Sequence, residues 1–284
     1  LHQLSVEPTA QTLSLFVTFM AHHIEPRSVR TYLTGIVSEL EPYYPGVCDA
    51  RSSTLVSRTL RGAMRRFSRP LCQKAPLTCD DLLHVIHSLL HPFAHDDLLF
   101  LAILFTGFFG LLRLGELVQS DSSALWSSLK LLWHHSVLLW DSSYHFTLPC
   151  SKSDLQFEGD LIVIQASAVE PDLLQIFLYY LASRDFKFSL LPYLWLRADG
   201  SSPRRSWFLH RLHAFFPNMI GGHSMRAGGA TSLAAAGVPP SQIQAIGRWK
   251  SDTFARYIRW HPMLLQTVLF HGRPIHDPAF AKLP

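Results

Sequence analysis

Apolar residues recur at helical spacing over the first 70 positions of the chain. Positions that repeat as i, i+3, i+4 and i+7 form one face of an amphipathic helix. The first stripe consists of Leu13, Phe16, Val17 and Met20, and the second of Val29, Tyr32, Leu33, Ile36, Val37 and Leu40. Two helices are therefore predicted, and Pro42, Pro45 and Gly46 are expected to end the second one.

A third stripe carries arginines on the side opposite its apolar face. The apolar side consists of Val56, Leu60, Ala63, Met64 and Phe67. At about 100° per residue, four arginines fall within an arc of about 80° on the other side. These are Arg58, Arg61, Arg65 and Arg69. Such a face is either solvated or in contact with a phosphate backbone, and the lack of acidic partners in register favours the phosphate contact.

The pattern changes after this third helix. Residues 68–79 contain two prolines and predict a linker between a helical domain over 1–74 and a larger domain over 75–284, with a tail from about 262. Thr78 is placed to cap the next helix. The apolar run Leu98–Leu112 is broken by Thr106, Gly107 and Gly110 and is too short for a membrane span, so it predicts a buried helix.

Short apolar and aromatic runs between 130 and 165 predict a small antiparallel sheet. They are Leu131–Trp133, Ser136–Trp140, Tyr144–Leu148 and Leu161–Ile164, with a turn at 141–143. Helices follow at about 170–183, 203–216, 224–236, 240–247 and 252–260. The predicted fold class is mainly α with a small antiparallel β-sheet (α+β).

Composition narrows the picture only a little. Hydrophobic residues make up 48% and charged residues 16%, which excludes a largely disordered chain. The net charge of +4 is mildly basic and says little by itself about partners. The four cysteines form no CxxC pair, so reduced thiols are the simpler interpretation than a zinc knuckle or disulfides. The 16 histidines show no clustered ligand spacing, and we expect no metal or other cofactor.

Several charged or aromatic residues stand at places where they could do chemistry, although each has a plain structural explanation. Arg113 and Glu116 follow a strongly apolar stretch and could simply pair. Lys152 lies in a turn between two predicted strands, where lysine is usually surface decoration. The remaining candidates are His223 with Arg226 at a helix start, and Trp249 with Tyr257 around a short helix near the end.

Taken in this order, these residues resemble the active site of the tyrosine recombinase (phage integrase) family. Arg113-Leu-Gly-Glu116 is similar to its first arginine box, and His223-Ser-Met-Arg226 is similar to its second. The segment from Gly247 through Tyr257-Ile-Arg259 is similar to its nucleophile box. The last two boxes look like those of fungal, transposon-borne recombinases called cryptons. The interval from Trp249 to Tyr257 is one residue shorter than the commonest spacing.

The resemblance implies an enzyme that cleaves and rejoins DNA without ATP or metal. Tyr257 would form a 3′-phosphotyrosyl bond, Arg113 and Arg226 would clamp the phosphate, and Lys152 would protonate the leaving 5′ oxygen. His223 would bind the phosphate and help to take the tyrosyl proton, and Trp249 would offer its indole N–H and packing. Glu116 would orient Arg113.

DNA contacts are expected from the arginine face and from Arg204, Arg205 and Trp207, which open a predicted helix; a solvated helix cap is the alternative for the latter group. The tail after Pro262 would either dock on a neighbouring protomer, in a tetrameric synapse on DNA, or pack on its own domain. A eukaryotic origin would imply a nuclear location.

Two other functions remain open at this stage. The chain could be a domesticated DNA-binding protein that has lost the chemistry, or a monomeric DNA-relaxing enzyme similar to type IB topoisomerases. A recombinase acts at a defined site as an oligomer, whereas a topoisomerase relaxes almost any supercoiled DNA alone.

Overall fold

Two compact units make up the chain, Leu1–Gln73 and Lys74–Pro284. The computed structural model describes residues 6–70, 74–149, 159–166, 172–217 and 219–249. The described part is mainly helical with one small antiparallel sheet, which confirms the predicted fold class.

Four helices lie in the described residues 6–70 of the first unit, and local sequence signals start three of them. They are α1 (Ala10–His23), α2 (Pro26–Leu40), α3 (Val47–Ser52) and α4 (Thr54–Phe67). The hydroxyl of Thr9 accepts the Thr12 N–H at the start of α1, and Ser53 accepts the Val56 N–H at the start of α4. Pro26 is the first residue of α2, where its missing N–H costs nothing. The predicted apolar stripes supply the core of this unit.

The arginine-bearing helix ends earlier than its sequence pattern indicates. Residue Phe67 is the last of α4, so Arg58, Arg61 and Arg65 lie on the helix but Arg69 does not. The backbone N–H of Arg69 instead donates to the carboxylate of Glu25. The prediction of four arginines on one helical arc is therefore wrong for Arg69, because the chain leaves the helix at Ser68 in an extended conformation.

A buried helix forms the centre of the second unit. It is α6 (His95–Phe109), preceded by α5 (Cys79–Ser88) and followed by the single turn α7 (Leu114–Leu117). Thr78 and Asp81 form a reciprocal capping box that starts α5, as predicted. Helix α6 is buried along almost its whole length, which explains its continuous apolar sequence.

The sheet has three antiparallel strands in the order β1-β2-β3. These are β1 (Leu138–Trp140), β2 (Ser143–Leu148) and β3 (Asp160–Gln165). Strand β2 buries Tyr144, Phe146 and Leu148 against the core, as expected for side chains that alternate between two faces. Residues Leu131–Trp133 lie outside the named strands, and Trp133 makes only an isolated bridge to Tyr193.

The remaining described helices follow the predicted order. They are α8 (Leu173–Phe188), α9 (Arg205–Phe215), α10 (Ser224–Ala235) and α11 (Pro240–Ile246). Helix α8 runs further than the predicted end at 183. Helix α10 packs closely on α6, because a Cβ at Gly229 would lie 2.0 Å from the carbonyl oxygen of Phe108. The helix predicted at 252–260 lies outside the described residues.

None of the described helices is both long and apolar enough to cross a membrane.

Candidate active site

Arg113 stands where the buried helix α6 gives way to α7. Helix α6 is closed by Leu111 in a left-handed conformation (φ 50°), with the Leu112 N–H bonded to the carbonyl of Gly107. The chain then turns so that Arg113 caps α7. Its Nη1 donates to Oε1 of Glu116 at 2.7 Å, and its backbone N–H donates to Oε2 of the same carboxylate at 2.8 Å. The side chain of Arg113 is 26% exposed, whereas that of Glu116 is only 7% exposed.

The second motif lies at the start of α10. His223 is the N-cap residue and is exposed, whereas Arg226 is buried in the first turn with 1% of its surface accessible. The guanidinium of Arg226 donates to two main-chain carbonyls, those of Leu111 and Gly247. These carbonyls belong to the segment before Arg113 and the segment after α11. Arg226 therefore braces both segments, and its contact with phosphate stays a prediction.

Trp249 follows the end of α11 and packs beneath Arg226. The guanidinium carbon of Arg226 lies 4.2 Å from the centre of the Trp249 ring. The indole also packs against a small cluster that includes Leu111 and Ile243. A Cβ at Gly247 would overlap the Trp249 ring, so any larger residue there would displace the indole. The placement of Trp249 suits packing, which is one of the two roles predicted for it.

Arg248 is a candidate residue that the sequence reasoning missed. It has φ 54°, a left-handed conformation that costs about 1–2 kcal/mol for a residue with a Cβ. Its Nη2 lies 3.4 Å from Oε2 of Glu116, and its Nε lies 3.7 Å from Oδ2 of Asp160. Burial lowers the pKa of the Arg248 guanidinium, while both carboxylates act in the opposite direction. The only sequence signal was its place between Gly247 and Trp249.

The fold thus brings three distant motifs together around Arg226. The Arg113 segment, the start of α10 and the Trp249 segment are joined by hydrogen bonds from one guanidinium. Lys152 and Tyr257, the predicted proton donor and nucleophile, lie outside the described residues. Asp160, the first residue of β3, contacts this site through Arg248.

The predicted DNA-contacting face of the first unit is accessible. Arg58, Arg61 and Arg65 are all exposed on α4. No ion pair joins any of these three to an acidic residue in the part of the chain that the structure describes. This arrangement suits contact with phosphates and equally a solvated face, so DNA contact by these arginines and by Arg69 stays a prediction.

The start of α9 already has an acidic partner. The Ser206 N–H donates to the carboxylate of Asp121 at 2.9 Å, and hydrogen bonds from Ser206 lower the pKa of Asp121. One backbone N–H at the start of this helix is therefore already hydrogen-bonded to a carboxylate. Arg204 and Arg205 are exposed, and Trp207 is half-buried.

Two arginine guanidinium groups lie over the indole ring of Trp207. The guanidinium carbons of Arg197 and Arg211 lie 5.8 and 5.5 Å from the centre of that ring. These contacts favour a structural role for Trp207, whereas the exposed Arg204 and Arg205 keep the predicted DNA contact open.

Within the described ranges, no group of three or more His, Cys, Asp or Glu side chains is placed to hold a metal ion. The described cysteines, Cys48 and Cys79, are free thiols.

Comparison with known proteins places the fold. No protein-family model matches the sequence, and no curated protein matches it either. Among solved structures, the XerH site-specific recombinase bound to palindromic difH substrate in a post-cleavage complex aligns with a TM-score of 0.60 and 13% identity. That alignment covers 92% of this chain and 71% of XerH.

Two further structures give the same result. The XerA recombinase aligns with a TM-score of 0.52 and 18% identity over 94% of this chain and 89% of XerA. The Tn1549 transposon integrase in complex with transposon right end DNA aligns with a TM-score of 0.54 and 16% identity, over 98% of this chain and 86% of the integrase. The chain therefore has the fold of these recombinases and integrases, with a catalytic-domain fold of the tyrosine recombinase type.

Proposed function

We propose that this chain is a site-specific DNA recombinase that cleaves and rejoins DNA through a covalent bond to Tyr257. One observation carries the proposal: Arg226 hydrogen-bonds to both the Arg113 segment and the Trp249 segment, and so holds three motifs of one resemblance in one place. The shared fold supports it. The XerH and Tn1549 integrase structures are complexes with DNA, which supports double-stranded DNA as the partner here.

The chemistry follows from the residue types. The phenolic oxygen of Tyr257 attacks the scissile phosphorus, and the bond from phosphorus to the 5′ oxygen breaks. His223 takes the tyrosyl proton, and Lys152 gives a proton to the departing 5′ oxygen. The reverse steps rejoin the strand, because the phosphotyrosyl bond keeps the energy of the phosphodiester.

Guanidinium groups stabilise the charge that develops on the non-bridging oxygens. Arg113 is the better placed of the two predicted clamps, because its side chain is partly accessible and Glu116 holds one side of it. Arg226 acts from deeper in the fold, where it fixes the backbone around Arg113 and Trp249.

Three finer features complete the proposal. The amino-acid sequences of the second and third motifs support a crypton-type origin. A eukaryotic host would place the enzyme in the nucleus. The apolar segment after Pro262 would exchange between protomers and build a tetramer on DNA. Two of these features can be measured directly: the nuclear location by following a tagged chain, and the tetramer by sedimentation of the DNA complex with and without residues 262–284.

A covalent-trap assay tests the central claim. The protein is incubated with duplexes from the sequences flanking its coding region, each carrying a nick so that the cut fragment diffuses away. We expect a protein–DNA adduct that survives denaturation. The adduct should disappear in Tyr257→Phe and persist in the matched control Tyr179→Phe, because Tyr179 is an exposed residue on α8.

Other outcomes separate the alternatives. DNA binding without an adduct on any duplex would support a domesticated binding protein. Relaxation of an arbitrary supercoiled plasmid by the monomer would support a topoisomerase. An adduct that persists in Tyr257→Phe would contradict the assignment of the nucleophile.

A further inference from the structure

Arg248 occupies a backbone position that normally belongs to glycine. Helix α11 ends with the Arg248 N–H bonded to the carbonyl of Ala245 at 3.0 Å and the Trp249 N–H bonded to that of Gln244 at 3.1 Å. This pair of bonds is the Schellman motif, whose residue in the left-handed conformation is most often glycine. A residue with a Cβ is strained at such a position, so contacts made by its side chain must compensate for the strain.

The side chain of Arg248 reaches two carboxylates on different elements. One is Glu116 in α7, which also contacts the side chain and the backbone N–H of Arg113. The second is Asp160, the first residue of β3. The side chain of Arg248 is only 14% exposed, so these contacts are partly shielded from water.

Arg248 thereby adds a second donor to the Glu116 oxygen that also accepts the Arg113 backbone N–H. Oε2 of Glu116 faces Arg248 and the Arg113 backbone, which leaves Oε1 for one nitrogen of the Arg113 guanidinium. Without Arg248, only the Arg113 backbone N–H would hold Oε2, and the carboxylate would be freer to rotate towards a bidentate pair with the Arg113 guanidinium. That pair would turn the N–H groups of Arg113 towards Glu116 and away from an incoming phosphate.

We propose that Arg248 is a positioning residue, which acts on Arg113 through Glu116 and on the first residue of β3 through Asp160. The inference rests on the proposed strand-cleavage function, in which Arg113 contacts the phosphate. Arg248 itself does not touch the DNA. At a backbone position that favours glycine, its cationic side chain links the third motif to the first.

The first test uses Arg248→Gly, which removes the side chain and also relieves the backbone strain. We expect this variant to fold with a melting temperature close to that of the wild type. Adduct formation in a single turnover should slow on the order of 10²-fold, because Arg113 is misplaced in the transition state. DNA affinity should stay within about twofold, since only a positioning contact is lost.

Three variants keep this test sharp. Arg248→Asn provides a second replacement that tolerates the left-handed conformation. Arg248→Lys should restore part of the rate, because an ammonium can pair with Glu116 but cannot bridge both carboxylates as well as a guanidinium. Lys187→Asn, which removes a cation at the distant end of α8, should leave the rate unchanged.

A double-mutant cycle distinguishes a positioning role from direct contact with DNA. If Arg248 acts mainly through Glu116, adding Arg248→Gly to Glu116→Gln should slow cleavage little beyond the effect of Glu116→Gln alone. Multiplied rate losses in the double variant would overturn the proposal. A wild-type rate in Arg248→Gly and Arg248→Asn would overturn it as well.

A measurement without DNA separates this inference from the proposed function. The side-chain nitrogen signals of Arg113, assigned by their loss in Arg113→Lys, are recorded by NMR. They should shift in Arg248→Gly but not in Lys187→Asn. If the signals move while the wild type forms no adduct, the proposed function fails and the positioning contact stands. Unmoved signals would refute the positioning role.

Discussion

The guanidinium of Arg226 lies 4.2 Å above the indole ring of Trp249 and hydrogen-bonds to the carbonyl of Gly247, two residues before that tryptophan. Its other carbonyl partner is Leu111. Leu111 and the neighbour of Gly247, Arg248, are the two non-glycine residues with positive φ in the described part of the chain. One buried cation thus stabilises two helix ends whose backbone is strained.

Arg226→Lys should therefore weaken both stability and cleavage. A lysine keeps the positive charge but lacks the planar fork that reaches two carbonyls, so at least one of them loses its donor. We expect a loss of about 2–4 kcal/mol in the free energy of unfolding. Chemical denaturation measures it, with Arg58→Lys as the control, because Arg58 is exposed. Unchanged stability in Arg226→Lys would contradict the bracing role.

Two glycines in helix interiors should respond to alanine in opposite ways. Gly229→Ala places a Cβ against the carbonyl oxygen of Phe108 and forces α10 away from α6, which should cost about 2–3 kcal/mol. Gly35→Ala in α2 meets no atom within 4 Å and should stabilise its unit by about 0.5–1 kcal/mol. Calorimetry on both variants checks the contrast. Equal effects would mean that α10 does not pack as closely as described.

The arginine face of α4 should determine the salt dependence of DNA binding. If Arg58, Arg61 and Arg65 each neutralise one phosphate, replacing all three with alanine should reduce the slope of log K against log salt by about 3. Fluorescence anisotropy over a salt series measures the slope. The control Lys187→Ala removes one distant charge and should change the slope by much less. An unchanged slope in the triple variant would identify the face as solvated.

Tyr144 should make the fold sensitive to alkaline pH. Its hydroxyl is fully buried beside Thr106, at 2.8 Å, and burial raises its pKa above the usual tyrosine range. The folded state therefore keeps the phenol proton above about pH 10, whereas the unfolded state loses it. Stability from this group is complete below pH 10 and falls by about 1.4 kcal/mol per pH unit above it.

Tyr144→Phe removes this titration. Relative to the wild type, the variant should be less stable at pH 8 because Thr106 loses its partner. The difference in the free energy of unfolding should shrink between pH 10 and 11. In this range the wild type loses stability, because Tyr144 ionises in the unfolded state and not in the folded state, and the variant has no such group. Melting curves over this range test the expectation. A difference that stays constant with pH would contradict it.

Local sequence was sufficient wherever a feature depends on near neighbours. The helix cap at Thr78, the strand over Tyr144–Leu148 and the amphipathic α4 were all predicted, because helix caps and periodicity involve residues a few positions apart. The same reasoning failed at Arg69, where the chain leaves α4 although the arginine spacing continues. Periodicity alone does not mark the residue at which a helix ends.

The sequence by itself determined the fold class and the residue types of the candidate site. Only the tertiary structure decided how those residues are connected. Glu116 and Arg248 are 132 positions apart, and no periodicity relates them. Nor does composition mark Arg248 or Leu111 as left-handed, since both stand where glycine is usual. Long-range contacts with a buried cation and two carboxylates outweigh the local preference there, and that balance exists only once the helices have packed.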